Sequence, residues 1–289
     1  MNIVLFNFGE NKPYFKDCIS QAKKYNQKIN VFFIGNDKKY VEEAEFYDLK
    51  DLEKSENIKK FNDLDFYSKH ENPLWTTSMM RFFYMEDFIR KFNLKNIFHF
   101  DNDVLIYGDF NNVLSKINLE EENIFTPTNN FNLTCGLFYT KSYNSIFKLN
   151  SLILNKISIE TSMLNQKYSS SRSLPEEPFM ANEMTILKII QDENMGVISL
   201  FPTMPKSENY ERYNICFDPS SWGQYIGGTP NTGPGWAGSH HRIGKEILNN
   251  KYKAYMDADN KPKILDLKSN NSYELFNLHI HSKNLNKFI

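Results

Sequence analysis

Net charge, disulfide-forming cysteine, long apolar runs and internal repeats are all scarce or missing in this chain, and each absence narrows what it is. The formal charge is −1 over 289 residues, so no overall basic field argues for nucleic acid or an anionic membrane as partner. The three cysteines, Cys18, Cys135 and Cys216, are scattered without the spacing of a disulfide framework or a metal cluster, which fits a reducing compartment. The first residues carry no basic segment and too short an apolar run for a signal peptide. No apolar stretch approaches membrane-spanning length. A cytoplasmic protein is expected, with peripheral membrane association left open. What the chain does have is 40% hydrophobic and 15% aromatic residues, ample for a large buried core.

Short apolar runs alternate with helical patterns. Residues 3–8 read as a strand, 14–25 as a helix with Phe15, Ile19 and Ala22 at helical spacing, and 29–34 as a second strand. Such a βαβ opening favours a parallel sheet. Residues 40–64, rich in lysine and glutamate, read as one or two exposed helices. A stronger helix over 76–92 carries Met80, Phe83, Phe88 and Ile89 as its apolar stripe, with Thr76 or Thr77 as cap. Further strands are expected at 123–126, 136–140 and 197–201, with helices at 113–117, 143–157 and 183–190. Serines at 169–173, followed by Pro175 and Pro178, mark a loop. From 202 to 262 the pattern loosens. The chain closes on residues 273–282, which alternate like a strand. One α/β domain is expected: a core over 1–201, a looser segment over 202–262, and a returning strand within 263–289.

Two stretches carry chemistry. Ile97 to Phe100 form a short apolar run that leads into Asp101-Asn102-Asp103, with apolar residues resuming at Val104. The run reads as a strand covered on both faces, so its carboxylates belong where it leaves the sheet, at the edge where open α/β sheets bind ligands. Carboxylates this close repel unless a cation lies between them, and hard oxygen ligands suit Mg²⁺ or Mn²⁺. The plain alternative is a solvated Asp-Asn-Asp turn. In the closing strand, side chains alternate faces, which puts Asn277, His279, His281 and, if the strand continues, Lys283 on one side. Each histidine taken singly reads as structural. Two histidines and a lysine on one face could instead complete a metal site and neutralise phosphate oxygens.

With these residues in view, the chain resembles bacterial metal-dependent glycosyltransferases of the GT-A type, with a DxD motif, of the kind that build capsules and other polysaccharides. The resemblance rests on Asp101-Asn102-Asp103, on Arg81 in the preceding helix, on His279-Ile280-His281-Ser282-Lys283, and on the stretch from Phe217 to Gly228. It implies a Rossmann-like mixed sheet flanked by helices, with an irregular acceptor-side segment. It implies a nucleotide-sugar donor, a UDP-sugar, and a saccharide acceptor. Phe6 and Asn7 would bind the base, and Arg81 and Asn102 the donor. Asp103 and one histidine would hold Mn²⁺ or Mg²⁺, with Asp101 aiding the metal while reaching ribose or sugar hydroxyls, and Lys283 would meet the phosphates. His281 is favoured as ligand because it is nearer Lys283, although His279 shares its face.

Two carboxylates compete for the role of general base. Glu183 opens a helix after two prolines, where it could instead simply favour the helix dipole. Asp218 stands near Trp222 and Tyr225, which could stack on a sugar. The glycine- and proline-rich run over 223–238, followed by His240-His241-Arg242, reads as a mobile loop over bound substrate or as an irregular surface excursion. Two rival functions use the same residues: a metal-dependent phosphohydrolase, and a saccharide-binding protein on this fold without turnover.

Overall fold

The structure, a computed structural model, describes residues 1–64, 74–168, 182–193, 196–228 and 241–289. The serine cluster at 169–173, Pro175, Pro178 and residues 229–240, including His240, lie outside the described residues.

The chain begins with β1 (Asn2–Asn7), α1 (Tyr14–Tyr25) and β2 (Asn30–Gly35), the expected βαβ unit, with β1 and β2 in parallel register. There follow β3 (Glu45–Asp48), α2 (Glu56–Asp63), α3 (Leu74–Phe92), β4 (Lys95–Phe100) and β5 (Val104–Ile106). Next come α4 (Phe110–Leu114), β6 (Asn123–Pro127), β7 (Leu133–Ser142), α5 (Tyr143–Tyr168), α6 (Glu183–Asp192) and β8 (Ile198–Leu200). The last third holds α7 (Tyr210–Tyr213), α8 (Arg242–Leu248), β9 (Tyr252–Met256), β10 (Pro262–Asp266), β11 (Ser272–Glu274) and β12 (Asn277–His279).

Seven strands make the main sheet in the order β3-β2-β1-β4-β7-β6-β8. All run parallel except β7, which is antiparallel to both β4 and β6. This is the expected α/β class, a mixed sheet flanked by helices. Strand alternation divides the core. On β4, Ile97 joins the cluster beneath α2, α3, α5 and α6, while Phe98 and Phe100 join the one beneath α1, α4 and the C-terminal third. The three cysteines are free thiols buried in these layers. No helix among the described residues is long and apolar enough to cross a membrane.

The order 3-2-1-4 means that the chain builds outward from β1 on one side and returns to pair β4 on the other. Their carboxyl ends lie side by side at this reversal, which leaves a crevice.

Several expectations need correcting. Residues 40–64 hold an edge strand, β3, as well as α2, because Glu45 to Asp48 pair with β2. Thr76 and Thr77 lie inside α3 and do not cap it. The loosened stretch contains β9 and runs into β10, and these two form an antiparallel three-stranded sheet with β11. The closing strand is not continuous. Leu275 only bridges Cys216, β12 pairs with β5, and the chain then turns at His281, where the Lys283 N–H donates to the Ile280 carbonyl.

Candidate active site

A cavity of about 650 Å³ opens at the ends of β1 and β4. Phe6 and Asn7 line it from β1, Asp101 to Asp103 from the turn after β4, and Arg81 from α3. Glu183, His279, His281 and Lys283 complete its polar wall. Every proposed site residue except Asp218 therefore reaches one place.

Asp103, His279 and His281 form its most compact cluster, with ligand atoms within 4.8 Å of one another. The pairing of β12 with β5 brings them together, because His279 lies opposite Val104, the residue after Asp103. His279 Nε2 is 3.1 Å from Asp103 Oδ1, and the Lys283 ammonium contacts the other oxygen. Asp103 is buried, and burial alone would raise its pKa. The His279 and Lys283 charges outweigh that and hold the carboxyl well below the usual range. Burial likewise pulls the His279 imidazole down, but Asp103 reverses the sign and raises it. The His281 ring stacks on His279 at 4.4 Å and 9°; burial and this neighbour push its pKa down to about 3.

The donor set fits a divalent cation. Two imidazoles and one carboxylate converge, and His279 Nδ1 lies 2.6 Å from Ser220 Oγ, the outer contact that fixes the orientation of a ligating imidazole. Close packing on both sides aids this. A Cβ on Gly136 would stand 2.8 Å from His279 Nδ1, and one on Gly223 would stand 2.4 Å from the His279 carbonyl oxygen. Ser220 and Lys283 both adopt left-handed backbone, at φ of 71° and 61°, a cost of the kind that accumulates at functional sites.

Asp101 belongs to a different group. Its Oδ1 accepts from Arg81 Nη1 at 2.5 Å, and Glu183 lies 3.5 Å from Arg81 Nη2. Arg81 is 9% exposed, far from a surface arginine on an amphipathic helix. Glu183 takes the first position of α6 behind Asn182, whose side chain caps the helix by accepting from the Thr185 N–H. Burial raises the Glu183 pKa against the pull of Arg81. Its Oε2 has no hydrogen-bond partner among the described residues. A buried, unsatisfied oxygen in a cavity wall is a place for a ligand hydroxyl.

Asp218 is placed elsewhere. Oδ1 accepts the Ser221 and Trp222 N–H groups, and Oδ2 accepts those of Gly223 and His279. With both oxygens filled by main chain and 1% exposure, Asp218 knots the 218–223 loop to β12 and has no free oxygen for an acceptor. Trp222 is fully buried, its indole N–H donating to the Thr203 carbonyl, so it presents no face to a sugar. Asn102 donates to the Phe6 carbonyl at 2.7 Å and ties the turn to β1. Asn7 donates to the Gly9 carbonyl and to Asn11 Oδ1.

No protein-family model matches this chain, nor does any curated protein sequence. Among solved structures it is similar to mouse xyloside xylosyltransferase 1 in its apo form, with 10% identity over 75% of this chain and 94% of that one, at a TM-score of 0.49. It is similar to the glycosyltransferase GlyE of Streptococcus pneumoniae, with 12% identity over 74% of this chain and 46% of that one, at 0.39. It is also similar to the galactosyltransferase LgtC in complex with donor and acceptor sugar analogs, with 12% identity over 73% of this chain and 77% of that one, at 0.38. Likenesses this distant establish neither activity nor substrate for the chain.

Sequence reasoning missed His99, Ser220 and Gly136. Ser220 lies in a stretch already singled out, and its neighbours Pro219 and Ser221 mark a turn. His99 gave a signal too, as the one polar side chain in the run from Ile97 to Phe100. Nothing local marks Gly136, because its need arises from His279, far along the chain.

Proposed function

We propose that this chain is a glycosyltransferase that takes a sugar from a nucleotide diphosphate, a UDP-sugar, and joins it to a saccharide hydroxyl in the building of a surface polysaccharide. One observation carries the reading. A trio of Asp103, His279 and His281 able to hold a cation, with a lysine beside it, shares a single cavity with a second cluster of carboxylates around Arg81. The two clusters suit the two halves of a nucleotide sugar, one anionic and one rich in hydroxyls.

Asp103, His279 and His281 would hold Mn²⁺ or Mg²⁺, and the two imidazoles favour Mn²⁺. Bound there, the ion supplies Lewis-acid stabilisation of the leaving diphosphate. The remaining work falls to the chain itself. Lys283, with 45% of its side chain exposed, brings an ammonium to the phosphate side. Asp101 and Glu183 accept hydrogen bonds from hydroxyls of the donor sugar, and Arg81 sets the separation of the two. Phe6 and Asn7 line the base end. Glu183, its pKa raised by burial, takes the proton of the acceptor hydroxyl. We assign donor binding to 1–201, the acceptor side to 202–262, and the return to the metal ligands to 263–289. We place the enzyme in the cytoplasm, where its three buried thiols remain reduced.

A thermal-shift screen of nucleotide sugars with and without Mn²⁺, followed by transfer assays on saccharide acceptors, tests this. A UDP-sugar should stabilise the protein in the presence of Mn²⁺ and yield a glycoside. Phosphate release without an acceptor would make the chain a phosphohydrolase. Donor binding with no transfer to any acceptor would make it a binding protein.

A further inference from the structure

His99 sits on β4 between Phe98 and Phe100, facing α3, with its ring against Phe138 at 4.9 Å and Phe6 at 5.8 Å. Those contacts ask only for an aromatic ring, and a phenylalanine would supply them. The two ring nitrogens are what distinguish this residue. Nδ1 lies 2.7 Å from the Val4 carbonyl oxygen, which only accepts, so Nδ1 carries the hydrogen. Nε2 is then a lone pair, and it lies 3.3 Å from Arg81 Nη1, which only donates. Both neighbours therefore select the same tautomer. Burial and the Arg81 charge push the imidazole pKa down to about 4, which keeps this acceptor in place at neutral pH.

Arg81 is held from three sides. Its Nε donates to the Ser78 carbonyl at 2.9 Å, Nη1 meets both Asp101 and His99, and Nη2 faces Glu183. Ser78 fixes the stem, and the two carboxylates lie toward the cavity. His99 is the anchor that depends on neither. Without it the guanidinium would be free to follow whichever carboxylate attracts it more.

We infer that His99 is a positioning residue: it anchors the Arg81 guanidinium so that Asp101 and Glu183 keep oxygens turned to the sugar of the donor. The inference rests on the proposed sugar transfer. Its signature is selectivity: a phenylalanine keeps the ring contact with Phe6 at the base end, so what the substitution removes there is chiefly the contact with Arg81 that sets the sugar-side oxygens.

The test compares wild type, His99→Phe and His99→Gln, each also in an Arg81→Met background. Calorimetry with Mn²⁺ present would measure affinity for UDP and for whichever of UDP-glucose, UDP-galactose and UDP-N-acetylglucosamine the wild type binds best. Thermal unfolding would monitor the fold. His99→Phe should weaken the UDP-sugar about tenfold, the size of one charge-assisted hydrogen bond, and leave UDP alone unchanged. Glutamine offers both a donor and an acceptor, so His99→Gln should stay within about threefold of wild type. In the Arg81→Met background, His99→Phe should cost nothing further. Equal weakening of UDP and UDP-sugar, full affinity in His99→Phe, or losses that add to those of Arg81→Met would overturn the inference while leaving the proposed transfer standing. A wild-type protein that binds no UDP-sugar would overturn both.

Discussion

Glu183 and Asp218 look alike along the chain, as acidic residues beside a turn, and only their partners separate them. Asp218 is filled by four main-chain N–H groups, one from His279, a residue remote in sequence. Glu183 keeps one oxygen without a partner among the described residues, and its raised pKa brings it nearer to neutral working conditions. Replacing it by glutamine preserves shape and hydrogen bonding but would remove the proposed base. Glu183→Gln should keep donor affinity and lose turnover by about 10²- to 10⁴-fold, roughly 3 to 5 kcal/mol of barrier. The loss should shrink as pH rises and the acceptor ionises more readily. Steady-state rates across a pH series check this. Wild-type turnover would return Glu183 to a helix-start role, and loss of donor affinity with the rate at saturating donor kept would leave it a sugar ligand without the base role.

Elements with strong internal patterns were legible in the sequence, and those defined by a distant partner were not. α1 and β4 declare themselves by periodicity and by an unbroken apolar run. β3 is four residues at a sheet edge, and it exists because β2 offers it a pairing partner. The closing stretch brought His279, His281 and Lys283 together for a partly mistaken reason. Alternation on a straight strand predicts a shared face, whereas the chain turns after β12 and the turn brings His281 and Lys283 back to Asp103. The α2–α3 contact makes a separate prediction. Asp87 on α3 accepts the Ser55 N–H at the start of α2, and burial lifts its pKa to about 6, against about 3.9 for an unperturbed aspartate. The folded state thus holds a proton that the unfolded chain releases. The stability from this group is full below about pH 4 and is lost as pH rises through about 6. Asp87→Asn keeps an acceptor without the charge. It should melt about 2 to 4 °C above wild type at pH 8 for each kcal/mol relieved, with the gap closing by pH 4. Calorimetric melting at both pH values checks this, and a gap independent of pH would contradict it.

At the scale of the whole molecule, the sheet reversal between β1 and β4 places the crevice, and the C-terminal third closes one side of it. The turn from Asp101 to Asp103 and the strands of the main sheet other than β3 and β8 could be read from the first half of the chain alone. The completed trio could not, because Asp103 and His279 meet only through the pairing of β5 with β12. On the proposed reading, that pairing would make nucleotide binding and metal binding one event. Mn²⁺ should bind weakly alone and strengthen with UDP, because Asp103, His279 and His281 would offer it only three ligands and Lys283 would meet the diphosphate charge. The most direct test is calorimetric titration of UDP into wild type and Asp103→Ala, each with Mn²⁺ and with a chelator, with circular dichroism to confirm an intact fold. Mn²⁺ should raise the affinity of the wild type for UDP by about tenfold or more, and the Asp103→Ala protein should bind UDP equally weakly in both conditions. An Asp103→Ala protein that keeps the full Mn²⁺-dependent gain would contradict the proposed metal centre.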